Sequence, residues 1–192
     1  ETWPIEILFS GPVVEEGRVG QEATGVITVT PAIPGRAVWS ARDRVTLMPS
    51  EPFPIARKFA VKLVLPTAPG GGKIVGPEGF VFNTQLLALR GVELFYAGVG
   101  TADVRANLNF NHAVQPEAAA RAVTFVLGDG KVLTPTLETT KPGETMAFRL
   151  PPIELAPDQE SIPLKVTIKA ELVAAAGGEP LGADAVRELA VN

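Results

Sequence analysis

Few side chains in this sequence could carry out catalysis or bind a metal ion. The chain contains one histidine and no cysteine, whereas a metal centre or a nucleophile with its base needs several convergent donors. His112 stands in a segment that we predict to turn at the end of a strand, so we interpret it as a solvated or packed turn residue. Without cysteine, these residues supply no thiolate nucleophile, no cysteine-based metal site and no disulfide.

The glycine-rich residues 69–73 raise the question of a phosphate-binding loop. Such a loop requires a glycine at the position of Thr67, and a serine or threonine at the position of Ile74, directly after Lys73. Neither requirement is met. We therefore predict that this segment is a flexible or hairpin-forming loop without a phosphate ligand.

The acidic residues do not form a catalytic or calcium-binding pattern either. Glu15 and Glu16 are adjacent, so their side chains point apart and we expect both to be solvated. Asp129 lies between two glycines, which is typical of a hairpin turn, whereas an EF-type calcium loop needs several further acidic positions. Residues 158–160 are predicted to be a polar loop. No Gly-x-Ser-x-Gly segment is present to position a nucleophilic serine.

Exposed aromatic side chains could still form a binding face for a sugar or a peptide. Trp39 lies in the middle of an alternating run, which favours a place in the core, whereas Trp3 is near the start of the chain and both roles stay open for it. The charged residues 42–44 are interpreted as a solvated corner. We therefore predict no catalytic, cofactor-binding or metal-binding residue in the chain, and no enzymatic activity.

Composition and charge exclude some classes of partner. The net charge is -4, with 17 basic and 21 acidic residues among 192, and basic residues do not cluster, which argues against nucleic-acid binding. The longest apolar runs are much shorter than the roughly 20 residues of a membrane-spanning helix. Absence of cysteine fits an intracellular protein or an exported bacterial domain. The first residue is Glu1 rather than methionine, so we expect a mature product or an excised piece.

Short alternating runs separated by Pro, Gly and charged residues predict an all-β fold. Turn signals recur every 8–12 residues, as in β-sandwiches, and only residues 116–121 suggest a helical turn. Six residues are predicted for the core: Trp39, Val61, Leu63, Phe110, Val166 and Ile168. The predicted strands are residues 5–14 (broken at Gly11-Pro12), 26–30, 36–40, 45–48, 58–65, 80–89, 92–96, 103–114, 122–127, 131–137, 145–150, 164–172 and 185–191.

The chain also repeats itself at an offset of about a hundred residues, which indicates tandem modules. Residues 8–13 correspond to 109–114, residues 59–63 to 164–168, and residues 80–82 to 187–189; residues 51–54 and 70–72 have weaker counterparts at 154–157 and 176–178. We predict two tandem antiparallel β-sandwich domains of the Ig-like or fibronectin-III-like type, at residues 1–88 and 89–192. No counterpart of the strand at 92–96 is found before Trp3, so either that strand lies outside this sequence or the first module lacks it.

Several structural motifs resemble the N-terminal macroglobulin-type modules of bacterial alpha-2-macroglobulin-like proteins. They are Val-Thr-Pro-x-x-Pro-Gly at residues 29–35, Trp39, Val-x-Leu-x-Pro at 45–49, Glu-Pro-Phe-Pro at 51–54, Phe-x-Phe-x-Thr at 80–84 and the aromatic strand at 92–96. The Phe-Ser-x-Pro-Val element of the family is matched at residues 9–13. Its second copy departs from the pattern at Asn111 and Ala113.

This resemblance implies a non-catalytic N-terminal scaffold of a large endopeptidase inhibitor that traps proteases. The bait region and the Cys-x-Glu-Gln thioester of such inhibitors are not in this chain, which lacks cysteine. The implied partners are other macroglobulin domains of the same parent chain, target proteases bound by the full-length protein and, in some members, a penicillin-binding protein. The implied location is the periplasm or cell surface, with membrane anchoring through the full-length protein. An Ig-like adhesin that recognises protein or glycan is the alternative, and an accessory domain of a secreted hydrolase ranks third.

Overall fold

A computed structural model describes residues 2–65, 67–96, 104–155 and 159–192. The fold is nearly all-β, with four antiparallel sheets, and the chain divides into two compact units, Glu1–Thr84 and Gln85–Asn192. The fold class of two tandem β-sandwiches is confirmed. Four sequence predictions include positions outside the described residues: the loop at Pro66, the strand start at Asp103, the repeat element at 156–157 and the polar loop at 158.

The first unit contains two three-stranded sheets, with strand orders β1-β4-β3 and β2-β5-β6. Its elements are β1 (Ile5–Leu8), a 3-10 turn (Glu16–Arg18), β2 (Ile27–Thr30), β3 (Gly35–Ala41), β4 (Arg44–Pro49), β5 (Lys58–Leu63) and β6 (Gly79–Asn83). The core joins both sheets, because Leu47 of β4 packs in one cluster with Val29 of β2 and Phe59 of β5. Phe53 and Phe82 extend this cluster, with their ring centroids 5.2 and 5.3 Å from that of Phe59.

The second unit contains two four-stranded sheets, with strand orders β11-β12-β8-β7 and β10-β9-β13-β14. Aromatic residues contribute to its core, where the rings of Phe125 and Phe148 are 5.5 Å apart. Its elements are β7 (Leu89–Tyr96), β8 (Val104–Val114), α1 (Pro116–Ala122), β9 (Val123–Leu127), β10 (Val132–Leu133), β11 (Thr136–Leu137), β12 (Gly143–Arg149), β13 (Ile162–Ile168) and β14 (Ala185–Val191).

The predicted core residues are buried with one partial exception. Trp39, Val61, Phe110, Val166 and Ile168 are each at most 3% exposed. Leu63 is half-buried because it is the last residue of β5, where the sheet ends. The strand registers proposed from alternation are therefore confirmed at these positions.

The predicted strand at 164–172 ends already at Ile168, and two further predicted strands are wrong because a polar contact or a proline ends them early. Residues 80–89 are not one strand: β6 ends at Asn83, where the Thr84 hydroxyl accepts a hydrogen bond from the Arg57 N–H at 2.9 Å and donates one to the Pro54 carbonyl at 2.8 Å. Residues 131–137 divide into β10 and β11, which lie in different sheets. Pro135 lies between them, and proline cannot donate to a sheet ladder. The predicted Gly-Asp-Gly hairpin between β9 and β10 is confirmed.

The strand pairing around β5 in the first unit is repeated around β13 in the second unit. Val61 of β5 lies opposite Val29 and Phe80, on its two neighbouring strands. Val166 of β13 lies opposite Phe125 and Arg187. The sequence repeat aligns β5 with β13 and β6 with β14, so for these strands the predicted repeat extends to strand register.

The other sheet repeats as well, and it shows what differs between the units. Ile7 of β1 lies opposite Val45 of β4, and Leu108 of β8 lies opposite Met146 of β12. In the second unit β8 has a further neighbour, β7, on its other side. Among the described residues of the first unit, no strand pairs with β1 on the corresponding side.

Candidate functional site

The single histidine has a structural role in the second unit. The prediction that His112 lies in a turn at a strand end is wrong, because β8 continues to Val114 and His112 is only 9% exposed. Its Nε2 atom is 2.7 Å from the carbonyl oxygen of Gln85, so the ring donates a hydrogen bond there. In the described part of the chain, no group of three His, Asp or Glu side chains could hold a metal ion.

Asn111, next to this histidine, fixes the segment before β7. Its side-chain amide accepts a hydrogen bond from the Ala88 N–H and donates one to the Leu86 carbonyl, both at 2.7 Å, and its own N–H donates to the Ala88 carbonyl at 3.1 Å. The side-chain amide therefore forms the two hydrogen bonds that a backbone peptide group of a neighbouring strand would otherwise form. Leu87, between the two bonded residues, is 3% exposed and belongs to the core. The sequence shows Asn111 only as a departure from a motif, because its bonding partners are more than 20 residues away in the chain.

The glycine-rich segment forms a hairpin in the first unit. Thr67 and Lys73 form an isolated antiparallel bridge, and the Ala68 N–H donates to the Gly72 carbonyl at 3.0 Å. Gly71, at a φ of +82°, supplies the left-handed backbone that the turn requires, and its N–H donates back to the Ala68 carbonyl. These backbone donors are used within the turn, which confirms the predicted hairpin-forming loop.

The two tryptophans have different environments. Trp39 is 1% exposed and packs in the first unit's core, as predicted, with its ring 6.4 Å from that of Phe9. Within the described part of the chain, its Nε1 atom has no hydrogen-bond partner. Trp3 is 68% exposed, so a contact with a ligand is sterically open to it.

The acidic residues considered as candidates also have local structural partners. Asp129 accepts a hydrogen bond from the Lys131 N–H at 2.9 Å, which closes the hairpin turn. Glu16 lies 3.8 Å from the Arg42 guanidinium. Asp184, which sequence analysis did not single out, accepts hydrogen bonds from the Ala170 N–H and the Lys169 ammonium, and these hold the pKa of its carboxyl group below its usual value.

A charged cluster at the surface of the second unit was missed by sequence analysis. Arg105 of β8 and Arg149 of β12 lie directly opposite each other, a position in which like charges repel. Glu138, which follows β11, binds the Arg105 guanidinium and accepts a hydrogen bond from Arg149 Nε at 2.9 Å. The hydrogen bond from Arg105 is the main cause that lowers the pKa of Glu138, and the bond from Arg149 adds to it.

Glu138→Gln is expected to remove a pH-dependent contribution to the stability of the second unit. Because the folded-state pKa of Glu138 is lowered, its contribution is present above the ordinary value of 4.5 and is lost as the pH falls through the folded value. The stability difference between wild type and E138Q should therefore be larger at pH 7 than at pH 3. Urea unfolding at both pH values measures it. Glu144→Gln is the control, since Glu144 makes a 3.7 Å contact with the exposed Arg90, and an equal pH effect in E144Q would contradict the assignment.

The first unit has a groove along β1, which we call the β1 groove. The only charged side chain among its described lining residues is Lys73, so the groove offers apolar contact and no acid–base pair. It is lined on one side by residues 7–13 and on the other by Leu63, Leu65, Ala68 and residues 73–77. The arrangement can accept apolar side chains but has no group that could transfer a proton between two partners.

Comparison with known proteins gives one distant relationship. The chain is similar to the alpha-2-macroglobulin of Pasteurella multocida (strain Pm70), with 28% identity over 136 aligned residues, which cover 64% of this chain. The match covers 7% of the length of that relative. No protein-family model matches the chain. The similarity supports a macroglobulin-like relationship at this distant level. No helix in the described residues is long and apolar enough to cross a membrane.

Proposed function

We propose that this chain is a non-catalytic scaffold region of a larger macroglobulin-like endopeptidase inhibitor. The observation that carries the proposal is the similarity to the alpha-2-macroglobulin of Pasteurella multocida over 64% of the chain. That relative is far longer than the matched segment. Bait and capture functions of the inhibitor would therefore belong to other parts of the parent protein.

The placement of the polar residues supports a scaffold role. His112, Asn111 and Asp129 each bond to backbone groups nearby, and Glu138 holds two arginines in register. In each case the side chain stabilises a strand, a turn or a strand pairing. In the described residues these groups do not converge on a shared cavity, as nucleophile, base and oxyanion donors would.

The proposed partners follow from the scaffold role. Other macroglobulin domains of the parent chain would contact these units, and target proteases would be bound by the full-length protein. A penicillin-binding protein is a further proposed partner of the parent. The proposed location is the periplasm or the cell surface. Co-purification of the tagged parent protein from envelope fractions, compared with soluble fractions, would test the partners and the location together.

The scaffold proposal predicts that the 192-residue chain alone does not inhibit endopeptidases. The chain is incubated with a panel of serine, cysteine and metallo-endopeptidases, and cleavage of a protein substrate is measured. We expect unchanged rates with the chain and reduced rates with the full-length parent protein. Inhibition by the chain alone, or no inhibition by the parent, would overturn the proposal.

A binding module that recognises protein or glycan is the second candidate function. The observation that favours it is Trp3, an aromatic side chain that is 68% exposed in the first unit. A glycan array probed with wild type and Trp3→Ala distinguishes the candidates. Binding that is lost in the variant would favour the adhesin, and no binding with either protein would favour the scaffold.

A further inference from the structure

β6 is the last strand of the first unit's β2-β5-β6 sheet, and its outer edge is unpaired. The Thr84 N–H donates to the Arg57 carbonyl at 2.9 Å, and bonded pairs alternate with non-bonded pairs along an antiparallel ladder. The backbone groups of the even-numbered β6 residues therefore face β5, and those of Gly79, Val81 and Asn83 face away from it. Among the described residues, no hydrogen bond reaches these three from the outer side.

The unpaired edge follows from the strand order of the unit. β6 is bonded to the β5 side at both of its ends, because the Leu63 N–H donates to the Glu78 carbonyl at 2.7 Å and Thr84 forms the bond given above. In the second unit, the repeat aligns β14 with β6, and β14 is likewise the last strand of its sheet. Within the described residues, the two units therefore share this open position.

β6 lacks the features that protect the other edge strands from pairing. Natural proteins protect such strands with charged residues, proline, short length or a covering segment. β1, β7 and β14 contain Glu6, Glu93 and Glu188. β10 and β11 have two residues each, residues 20–23 bond along β3, and β2 has four residues and is followed directly by Pro31. β6 has the sequence Gly-Phe-Val-Phe-Asn, without charge or proline, so it is the least protected of the described edges.

The repeat places a charged residue in the second unit where the first has an apolar one. Val81 of β6 lies opposite Ala60, and the corresponding pair in the second unit is Glu188 opposite Lys165. A carboxylate at this position opposes pairing of two identical edges, because like charges would lie opposite each other. Val81 is 56% exposed and carries no charge, so the first unit has no such barrier.

We propose that the outer edge of β6 pairs antiparallel with the same edge of a second copy of this chain, with the two Val81 residues opposite each other. This register uses every outward backbone group of β6. The two Val81 residues exchange two hydrogen bonds, and each Gly79 exchanges two with Asn83 of the other copy. Such a contact has two-fold symmetry and joins two three-stranded sheets into one of six strands. The inference goes beyond the proposed scaffold function and does not depend on it.

A second copy fits this edge because the β6 sequence is complementary to itself. In the antiparallel register, Phe80 of each copy lies opposite Phe82 of the other, and no charged residue within β6 meets another. Aromatic and β-branched residues directly opposite each other stabilise antiparallel strand pairs. Phe80 is 41% exposed and Val81 is 56% exposed. Pairing would therefore bury apolar surface that is exposed in the single chain.

The contact is small, so we expect a weak dimer. Five residues of each copy form less than a standard interface of roughly 1,600 Å². Pro77 would be the next outward residue before Gly79, and it has no N–H to extend the ladder. The dimer should therefore form reversibly and depend on concentration.

Sedimentation velocity of the 192-residue chain between about 10 µM and about 1 mM tests the proposal. We expect the dimer fraction to rise with concentration. Val81→Lys places two like charges opposite each other and should abolish the dimer over this range. Val64→Lys is the matched control, because Val64 is also 56% exposed and lies outside β6. It adds the same charge and should leave the dimer unchanged.

Cross-linking locates the contact independently of the lysine variants. The chain contains no cysteine, and the Cα atoms of a bonded antiparallel pair lie about 5.5 Å apart, within reach of a disulfide. Val81→Cys should therefore form a disulfide-linked dimer under mild oxidation about tenfold faster than Val64→Cys. A monomer at every concentration, the same dimer fraction in V81K as in wild type, or equal cross-linking of the two cysteine variants would overturn the proposal.

Discussion

Trp39→Ala is expected to lower the free energy of unfolding of the first unit by about 3–5 kcal/mol. The indole is 1% exposed and packs with Val13, Val45 and Ala23 in one core cluster. Removing it leaves a cavity that the two short sheets of this unit can fill only in part. Urea unfolding, followed by circular dichroism, measures the loss.

Two further variants separate packing from hydrogen bonding at this position. Because no described residue bonds to Trp39 Nε1, we expect the indole to contribute through apolar contact and to carry the cost of a buried unbonded N–H. Trp39→Phe keeps most of the apolar contact and removes that N–H, so it should lower the free energy of unfolding much less than W39A does. Trp3→Ala, at a 68% exposed position, should change stability by less than about 0.5 kcal/mol. Equal losses in W39A and W39F would show that the indole N–H is bonded in solution.

Sequence alone predicted much of the fold because both units are built from local alternation. In β8 every second residue from Val104 to Phe110 is buried, and β14 has the bounds that its apolar pattern predicts. Errors arose where a single polar contact decides the end of a strand, as at Thr84. Apolar composition is the same on both sides of that residue, so periodicity cannot locate the end.

The residues of the polar clusters described above could be predicted from the sequence only to a small extent. The lack of cysteine and the single histidine, His112, already argue against a catalytic centre. In contrast, the Glu138 cluster requires Arg105 and Arg149 to lie opposite each other, which depends on the register of β8 with β12. The register in which strands distant in the sequence pair with each other cannot be derived from a single sequence.

Asn111→Ala is expected to lower the free energy of unfolding of the second unit by about 1–3 kcal/mol. The substitution removes the bonds to the Ala88 N–H and the Leu86 carbonyl, and these bonds hold Leu87 in the core between them. Hydrogen exchange at Ala88 should become faster by a larger factor than at β13, because the release is local. Unfolding in urea and amide exchange of the same sample measure both effects. Equal acceleration of hydrogen exchange at all amides of the second unit would show that Asn111 does not act locally on residues 86–88.

Asn111→Asp tests whether both halves of the amide are needed. The carboxylate can still accept from the Ala88 N–H, but it meets the Leu86 carbonyl with no hydrogen to donate. Protonation restores that donor, so folding should raise the pKa of the new carboxyl group above the usual Asp value of about 3.9. A raised folded-state pKa means that the variant gains stability relative to wild type as the pH falls through that value. If N111D is less stable than wild type by the same amount at pH 7 and at pH 3.5, the NH₂ group of Asn111 does not contribute to stability. The segment before β7 would then be held by the bond to the Ala88 N–H alone.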